Sequence, residues 1–201
     1  GALTYTPAEG TLLNAGSSQN LKVEAAETDN YNSASKTVQI NVLKADQTII
    51  WENPADITYG TLLSDDQLNA TVAGVSTAGA SAPGALTYTP AAGTLLNAGP
   101  SQTLRVDAAE MDNYNAAIKT VQINVNKAPL TITANNETRF AGQENPPFSV
   151  TIEGFVGNET EAVLGGILIF TTGADVYSCA GQYDIIPSGL TALNYEIQFE
   201  K

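Results

Sequence analysis

The side chains best suited to chemistry in this chain are four short acidic clusters and one cysteine. The clusters are Glu27-Thr28-Asp29, Asp65-Asp66, Glu110-Met111-Asp112 and Glu159-Thr160-Glu161. Carboxylates beside turns can hold Ca²⁺, a hard cation that takes several oxygen ligands. No stretch follows the EF-hand pattern or a Gly-Asp nonapeptide repeat. The clusters therefore also read as solvated surface charge, and Ca²⁺ is the one cofactor left open, with no ligand residue assigned. Cys179 stands alone, so no intrachain disulfide forms, and a lone cysteine is more often a small hydrophobe than a nucleophile. With no histidine in the chain, neither a Cys–His nor a Ser–His–Asp arrangement can be built. No catalytic, cofactor-binding or metal-binding residue is assigned, and the chain is not read as an enzyme.

Aromatic residues are the next candidates. Trp51 in TIIWE could stack on a sugar, or it could pack in a core with Ile49 on its own face. Tyr31, Tyr114 and Tyr195 each follow an asparagine. Recurrence at one structural place suggests a tyrosine-corner-like role, with the ring packed and the hydroxyl bonded to backbone. A Lys–Asn isopeptide crosslink through Lys44 or Lys127 is a further use open to those lysines. Asn69, Asn136 and Asn158 head Asn-X-Thr sequons, which matter only in a eukaryotic secretory pathway.

The elements that must position these residues are organised by duplication. Residues 1–42 and 84–125 align without a gap at an offset of 83, with roughly four in five positions identical. The repeated half reads as about four strands. Val38, Ile40 and Val42 alternate with Thr37, Gln39 and Asn41, and Leu21, Val23 and Ala25 alternate with Lys22 and Glu24. Such period-two patterns bury one face and wet the other. Residues 44–126 form the complete unit, because TIIWE, ITYGTLL and LNATVAG supply strands that 1–43 lacks. Lys44–Gln47 is a short joint without a flexible Gly/Ser tract, so neighbouring units are expected in a restricted orientation. A small-residue loop is expected at 74–84. Residues 127–201 are a diverged third unit, with strands expected at 130–134, 148–153, 167–171, 183–186 and 195–200. The third unit is expected to lack its last strand, leaving an edge that another chain could cover. The fold class is all-β, as tandem antiparallel Ig-like β-sandwiches.

Net charge of −13 repels phosphate backbones and anionic lipid, so nucleic acid and membrane insertion are excluded as partners. No apolar run is long enough to span a bilayer, and the chain reads as a piece of a longer protein.

The motifs WENPADITYGTLLSDDQLNATVAG, LTYTPAAGTLLNAG and DNYNAAIKTVQINV resemble the Ig-like tandem repeats of bacterial surface and adhesin-like proteins. KAPLTITANNETRFAGQENPPFSVTIEGFVGNET, GQYDII and LNYEIQFEK resemble the "mostly beta, gliding" (MBG) domain of Bacteroidetes-like surface proteins. One departure is Phe140-Ala141-Gly142, where that family has Tyr-Gly; the nearby glycine implies that the turn is kept. The resemblance implies an extracellular, cell-surface location and a stalk or adhesion role, with no catalytic residues to carry over. The expected function is a structural or adhesive spacer. The alternatives are a glycan- or protein-binding Ig-like module and accessory domains of a larger secreted enzyme. The expected partners are an extracellular protein or glycan ligand, and self-association through exposed strand edges. The first half-repeat is expected to be ordered only through a neighbour or a second chain.

Overall fold

The structure is a computed structural model that describes residues 1–77 and 80–201. Ala78 and Gly79, within the expected loop 74–84, lie outside the described residues. The strands in chain order are β1 (Leu3–Thr6), β2 (Gly16–Ala25), β3 (Ala34–Val42), β4 (Thr48–Ile50), β5 (Ile57–Thr58), β6 (Thr71–Ala73) and β7 (Leu86–Thr89). They continue with β8 (Gly99–Ala108), β9 (Ala117–Asn126), β10 (Ala128–Ala134), β11 (Val150–Glu153), β12 (Leu164–Thr172), β13 (Ile185–Ala192) and β14 (Tyr195–Glu200). A single 3₁₀ turn, Glu161–Val163, is the one helical element among the described residues. The all-β reading holds. Most pairings are antiparallel, but β5–β9 and β10–β14 are parallel. The repeated stretch holds three strands in each copy, one fewer than the sequence pattern suggests. Between the first and second strands of each copy, TLLNAG is irregular up to the glycine that begins the next strand, apart from an isolated bridge of Leu95 to Leu62.

The chain forms two compact units, and β8 and β9 are divided between them. The first unit comprises residues 1–52, 69–91 and 104–121. It contains the sheet β1-β2-β3, the pair β4–β6 and the pairing of β7 with the second half of β8. The β2–β3 register shifts between Gly16 and Gln19, a bulge that Ser18 turns with a positive φ of 54°. The amide of Gln19 closes the bulge on the Asn14 carbonyl at 2.7 Å, and the Ser18 N–H donates to the Asn41 side chain at 2.8 Å.

The core of this unit lies between β4 and the β7–β8 strands. Ile49, Trp51, Leu104, Val106, Ala108 and Val121 are buried. Trp51 meets Tyr88 edge-on at 5.5 Å, and the Tyr88 hydroxyl donates to the Ala70 carbonyl at 3.4 Å. Residues 47–52 and 69–73 therefore act as the lid of β7 and β8. Among the described residues no such lid lies on β1-β2-β3, where Leu3, Tyr5, Val38 and Ile40 are exposed. That sheet is ordered as a three-stranded meander rather than a closed sandwich.

The second unit comprises residues 53–68, 92–103 and 122–201. Its sheets are β11-β10-β14 and β12–β13, together with β5 paired on the second half of β9. β10 is the central strand, flanked by β11 and β14, so both its edges are paired and its alternate residues Leu130 and Ile132 are fully buried. The strands of 127–201 fall where the apolar alternation places them. β11 starts two residues later than expected, at Val150, and β13 runs on to Ala192.

Candidate functional site: the joints between repeats

The joint segment after the first half-repeat is tied down residue by residue. Ala45 bridges to Tyr114, its N–H donating to the Asn113 carbonyl and its carbonyl accepting from the Asn115 N–H, both at 2.9 Å. The Asn115 amide donates to Asp46 at 2.8 Å, and Lys44 pairs with Glu110 at 2.5 Å. Gln47 is the one buried polar side chain among the described residues. Its amide donates to the carbonyls of Ala109 and Asn115, each at 2.8 Å, and accepts from the Gly84 N–H at 2.9 Å. A buried amide with that many partners is stabilising only while all of them are kept.

One clamp recurs at both joints. At the first, the Asn113 side-chain oxygen accepts from the Ala15 N–H at 2.6 Å and its amide donates to the Asn14 side chain at 2.9 Å. At the second, the Asn194 oxygen accepts from the Ala98 N–H at 2.9 Å and its amide donates to the Asn97 side chain at 3.1 Å. Asn14-Ala15 and Asn97-Ala98 occupy the same place in TLLNAG, 83 residues apart. Asparagine suits the task because its amide offers an acceptor and a donor side by side, to a backbone N–H and a second amide oxygen.

The tyrosine beside each clamp asparagine fixes the neighbouring loop. Tyr114 is buried; its hydroxyl accepts from the Val75 N–H at 3.2 Å and donates to the Ser81 carbonyl at 3.0 Å. Gly74 lies so close to that ring that a Cβ there would sit 2.5 Å from the hydroxyl oxygen, so the position takes no side chain. Tyr195 is likewise buried and accepts from the Val156 N–H at 2.8 Å. Both therefore perform the corner role read from the sequence. Tyr31 does not: it is 77% exposed, and among the described residues no counterpart of Val75 and Ser81 lies over it.

The second joint adds a polar cluster that sequence reasoning missed. The Tyr59 hydroxyl donates to Glu159 at 2.6 Å, and the Tyr195 hydroxyl donates to the other oxygen of the same carboxylate. The two rings meet edge-on at 5.6 Å, and Phe155 also meets Tyr195 edge-on, at 5.8 Å. Burial first, and then the Glu159 carboxylate, push the Tyr195 phenol up to about 12. The hydrogen bond to Glu159 is the main cause of the upward displacement at Tyr59. Gly60, at a positive φ of 102°, brings the backbone so close to Val156 that a Cβ would stand 3.0 Å from its methyl group. No motif in the sequence ties Tyr59 to Glu159, which lies 100 residues further along the chain.

The other candidates lie elsewhere. Trp51 is 3% exposed and belongs to the lid, so it offers no platform for a sugar. Cys179 is exposed, and its carbonyl accepts from the Tyr183 hydroxyl. Lys44 is held by Glu110, and Lys127 donates to the Ala192 carbonyl at 3.0 Å. The acidic clusters are split among different tasks: Glu110 on Lys44, Glu159 on two tyrosines. Among the described residues no three of His, Cys, Asp and Glu converge as a metal-binding group.

Residues 130–201 match the family MBG domain (YGX type). The C-terminal part of the chain is an MBG domain. Neither the curated proteins nor the solved structures contain a match to the chain. Within the MBG domain, Phe140-Ala141-Gly142 keeps the turn: Gly142 has a φ of 82°, and the Gln143 N–H donates to the Phe140 carbonyl at 3.3 Å. Tyr-Gly itself stands in the preceding repeat, where Tyr59-Gly60 packs against the MBG domain's Tyr195, Glu159 and Val156. The MBG family consists of β domains of surface proteins.

Proposed function

We propose that this chain is a structural spacer segment of a bacterial cell-surface protein, working outside the cell and carrying no chemistry of its own. The observation that supports it best is the repetition of the asparagine clamp. Two joints of unequal sequence conserve one two-point contact between TLLNAG and the following Asn-Tyr. A spacer must fix each repeat on the next, and a repeated joint does this with nearest-neighbour contacts alone. The joint segments are short and bonded along their length, so they act as splints rather than tethers. The acidic, hydrated outer faces suit a segment that stands in solvent and resists non-specific association.

The test uses spin labels on Lys36 and Lys119, both in the first unit, after replacing Cys179 with serine. The expected result is a narrow interlabel distance distribution that broadens in Asn113→Ala. A broad distribution in the parent would overturn the spacer reading.

A further inference from the structure

One seam inside the MBG domain is open. In the sheet β5-β9-β8-β7, β9 is hydrogen-bonded to β8, the strand that precedes it in the chain. β14 is the counterpart of β9: Tyr195 at its start pairs in parallel with Ala128, as Tyr114 ahead of β9 bridges in parallel to Ala45. The strand that precedes β14, β13, is present, yet it pairs only with β12, and β14 pairs only with β10. Between β13 and β14 lies an open cleft of about 700 Å³, lined by the apolar side chains of Leu190, Ile197 and Phe199. Lys127 stands at one end and donates to the Ala192 carbonyl at 3.0 Å. At the other end Lys201, just past β14, pairs with Asp184, just before β13, at 2.8 Å. Along β14, Tyr195, Ile197 and Phe199 are turned inward, and Glu196, Gln198 and Glu200 are exposed. Neither Glu196 nor Glu200 has an ion-pair partner among the described residues.

We infer that this cleft takes an extended segment of a partner protein, alternating apolar and basic residues, added as a strand on the free edge of β14. An edge with unpaired N–H and C=O groups is a template for strand addition, and main-chain hydrogen bonds supply the affinity. The pleat dictates the rest, because successive side chains of the added strand point to opposite faces. One set points into the cleft onto Leu190, Ile197 and Phe199, so it is apolar. The other set stands beside Glu196 and Glu200, where lysine or arginine makes opposite-charge neighbours and a carboxylate makes like-charge ones. No two of the chain's 8 basic residues stand at i and i+2, so no segment of residues 1–201 has this pattern. A second copy does not fit either: β14 against β14 would set Glu196 and Glu200 beside carboxylates. Both lysines at the ends of the cleft are already engaged, which leaves the two glutamates as its free charges.

The experiment adds a short fluorescein-labelled peptide that alternates lysine and valine to the intact chain. Binding is read by anisotropy, and its position by hydrogen exchange. Saturable one-to-one binding with protection at residues 188–192 and 196–200 is the expected result. A peptide alternating glutamate and valine, and one of the first composition with its lysines grouped at one end, should each bind about tenfold more weakly or worse. The chain carrying Glu196→Lys and Glu200→Lys should reverse the preference and take the glutamate peptide. Both positions are exposed, so circular dichroism of that variant should match the parent. Absence of saturable binding at about 1 mM peptide overturns the proposal. Equal binding of the alternating and grouped lysine peptides, protection elsewhere, or an unchanged preference in the charge-reversed chain overturns it as well. So does protection of residues 196–200 that rises with chain concentration without peptide, which would assign the cleft to a second copy.

Discussion

The two copies of the 42-residue stretch are near-identical in sequence and backbone yet opposite in burial. Residues 1–42 and 84–125 share three strands, the positive-φ serine, the glutamine that closes the bulge and the asparagine that caps it. Val38 is half exposed and Val121 buried; Tyr31 is largely exposed and Tyr114 buried. The difference traces to residues 47–52 and 69–73 and to Val75 and Ser81, which lie over the second copy and have no counterpart over the first among the described residues. Local sequence thus determines the meander, and the lid determines whether the meander has a core. The sharpest way to break that comparison is to truncate one core position in both copies. Leu104→Ala should cost about 2–5 kcal/mol, whereas Leu21→Ala, at a half-buried site, should cost less than about 1 kcal/mol. Urea denaturation followed by circular dichroism measures both. Equal costs would mean that the open sheet is as well packed as the covered one.

The same comparison shows what could be read from sequence. Period-two alternation in TVQINV and LKVEA located β2, β3, β8 and β9, because a strand with one wet face writes that pattern directly. It could not show that one copy lacks a lid, since Val38 and Val121 have identical neighbours in sequence. TLLNAG forms no regular strand in either copy, and Asn14 and Asn97 spend their side chains on the joints instead. The asparagine clamp was legible only as a recurrence of Asn-Tyr, and the aromatic residue drew the functional reading away from the amide beside it. Tyr59–Glu159 was illegible because its partners are 100 residues apart and neither motif predicts the other. The parallel pairings of β5 and β14 depend on crossover geometry, which alternation does not encode.

A second comparison sets the two joints against each other. The Tyr195 joint contains a carboxylate, whereas Tyr114 meets only backbone groups. The folded state holds the Tyr195 proton more tightly than the unfolded chain does, so its stabilisation is complete below about pH 10 and is lost as pH rises towards about 12. The loss should amount to up to about 2–3 kcal/mol, read as a fall in melting temperature across that interval. Tyr195→Phe should flatten that part of the profile. An unchanged slope would show that ionisation of Tyr195 does not govern the joint at high pH.

The clamps themselves should contribute less. Asn194→Ala leaves the Ala98 N–H and the Asn97 oxygen without their partners, and Asn113→Ala does the same to Ala15 and Asn14. Each site is partly open to water, so a cost of about 1 kcal/mol is expected. The specific readout is amide exchange at Ala98 or Ala15, which should accelerate in the matching variant and not in the other. Acceleration of both amides by either variant would show global loosening rather than loss of one clamp.

The smallest effect belongs to a feature that both copies share regardless of the lid. On the wet face, Lys22 pairs with Glu24 in the open copy and Arg105 pairs with Asp107 in the covered one. The side chains at these positions are exposed, where water screens the attraction and ordering two long side chains offsets it. The Arg105 guanidinium grips Asp107 at two points and holds its carboxyl below the usual carboxylate range. That preference acts above the ordinary carboxylate range and disappears as pH falls through the depressed value. Arg105→Ala should therefore return the Asp107 titration, followed by carboxyl carbon NMR, to its ordinary range while leaving the urea midpoint unchanged. Lys22→Ala should leave the midpoint unchanged as well, because water screens that pair in the same way. A drop in the midpoint for the covered copy alone would show that the lid strengthens contacts on the opposite face of the sheet, and that the two faces are not independent.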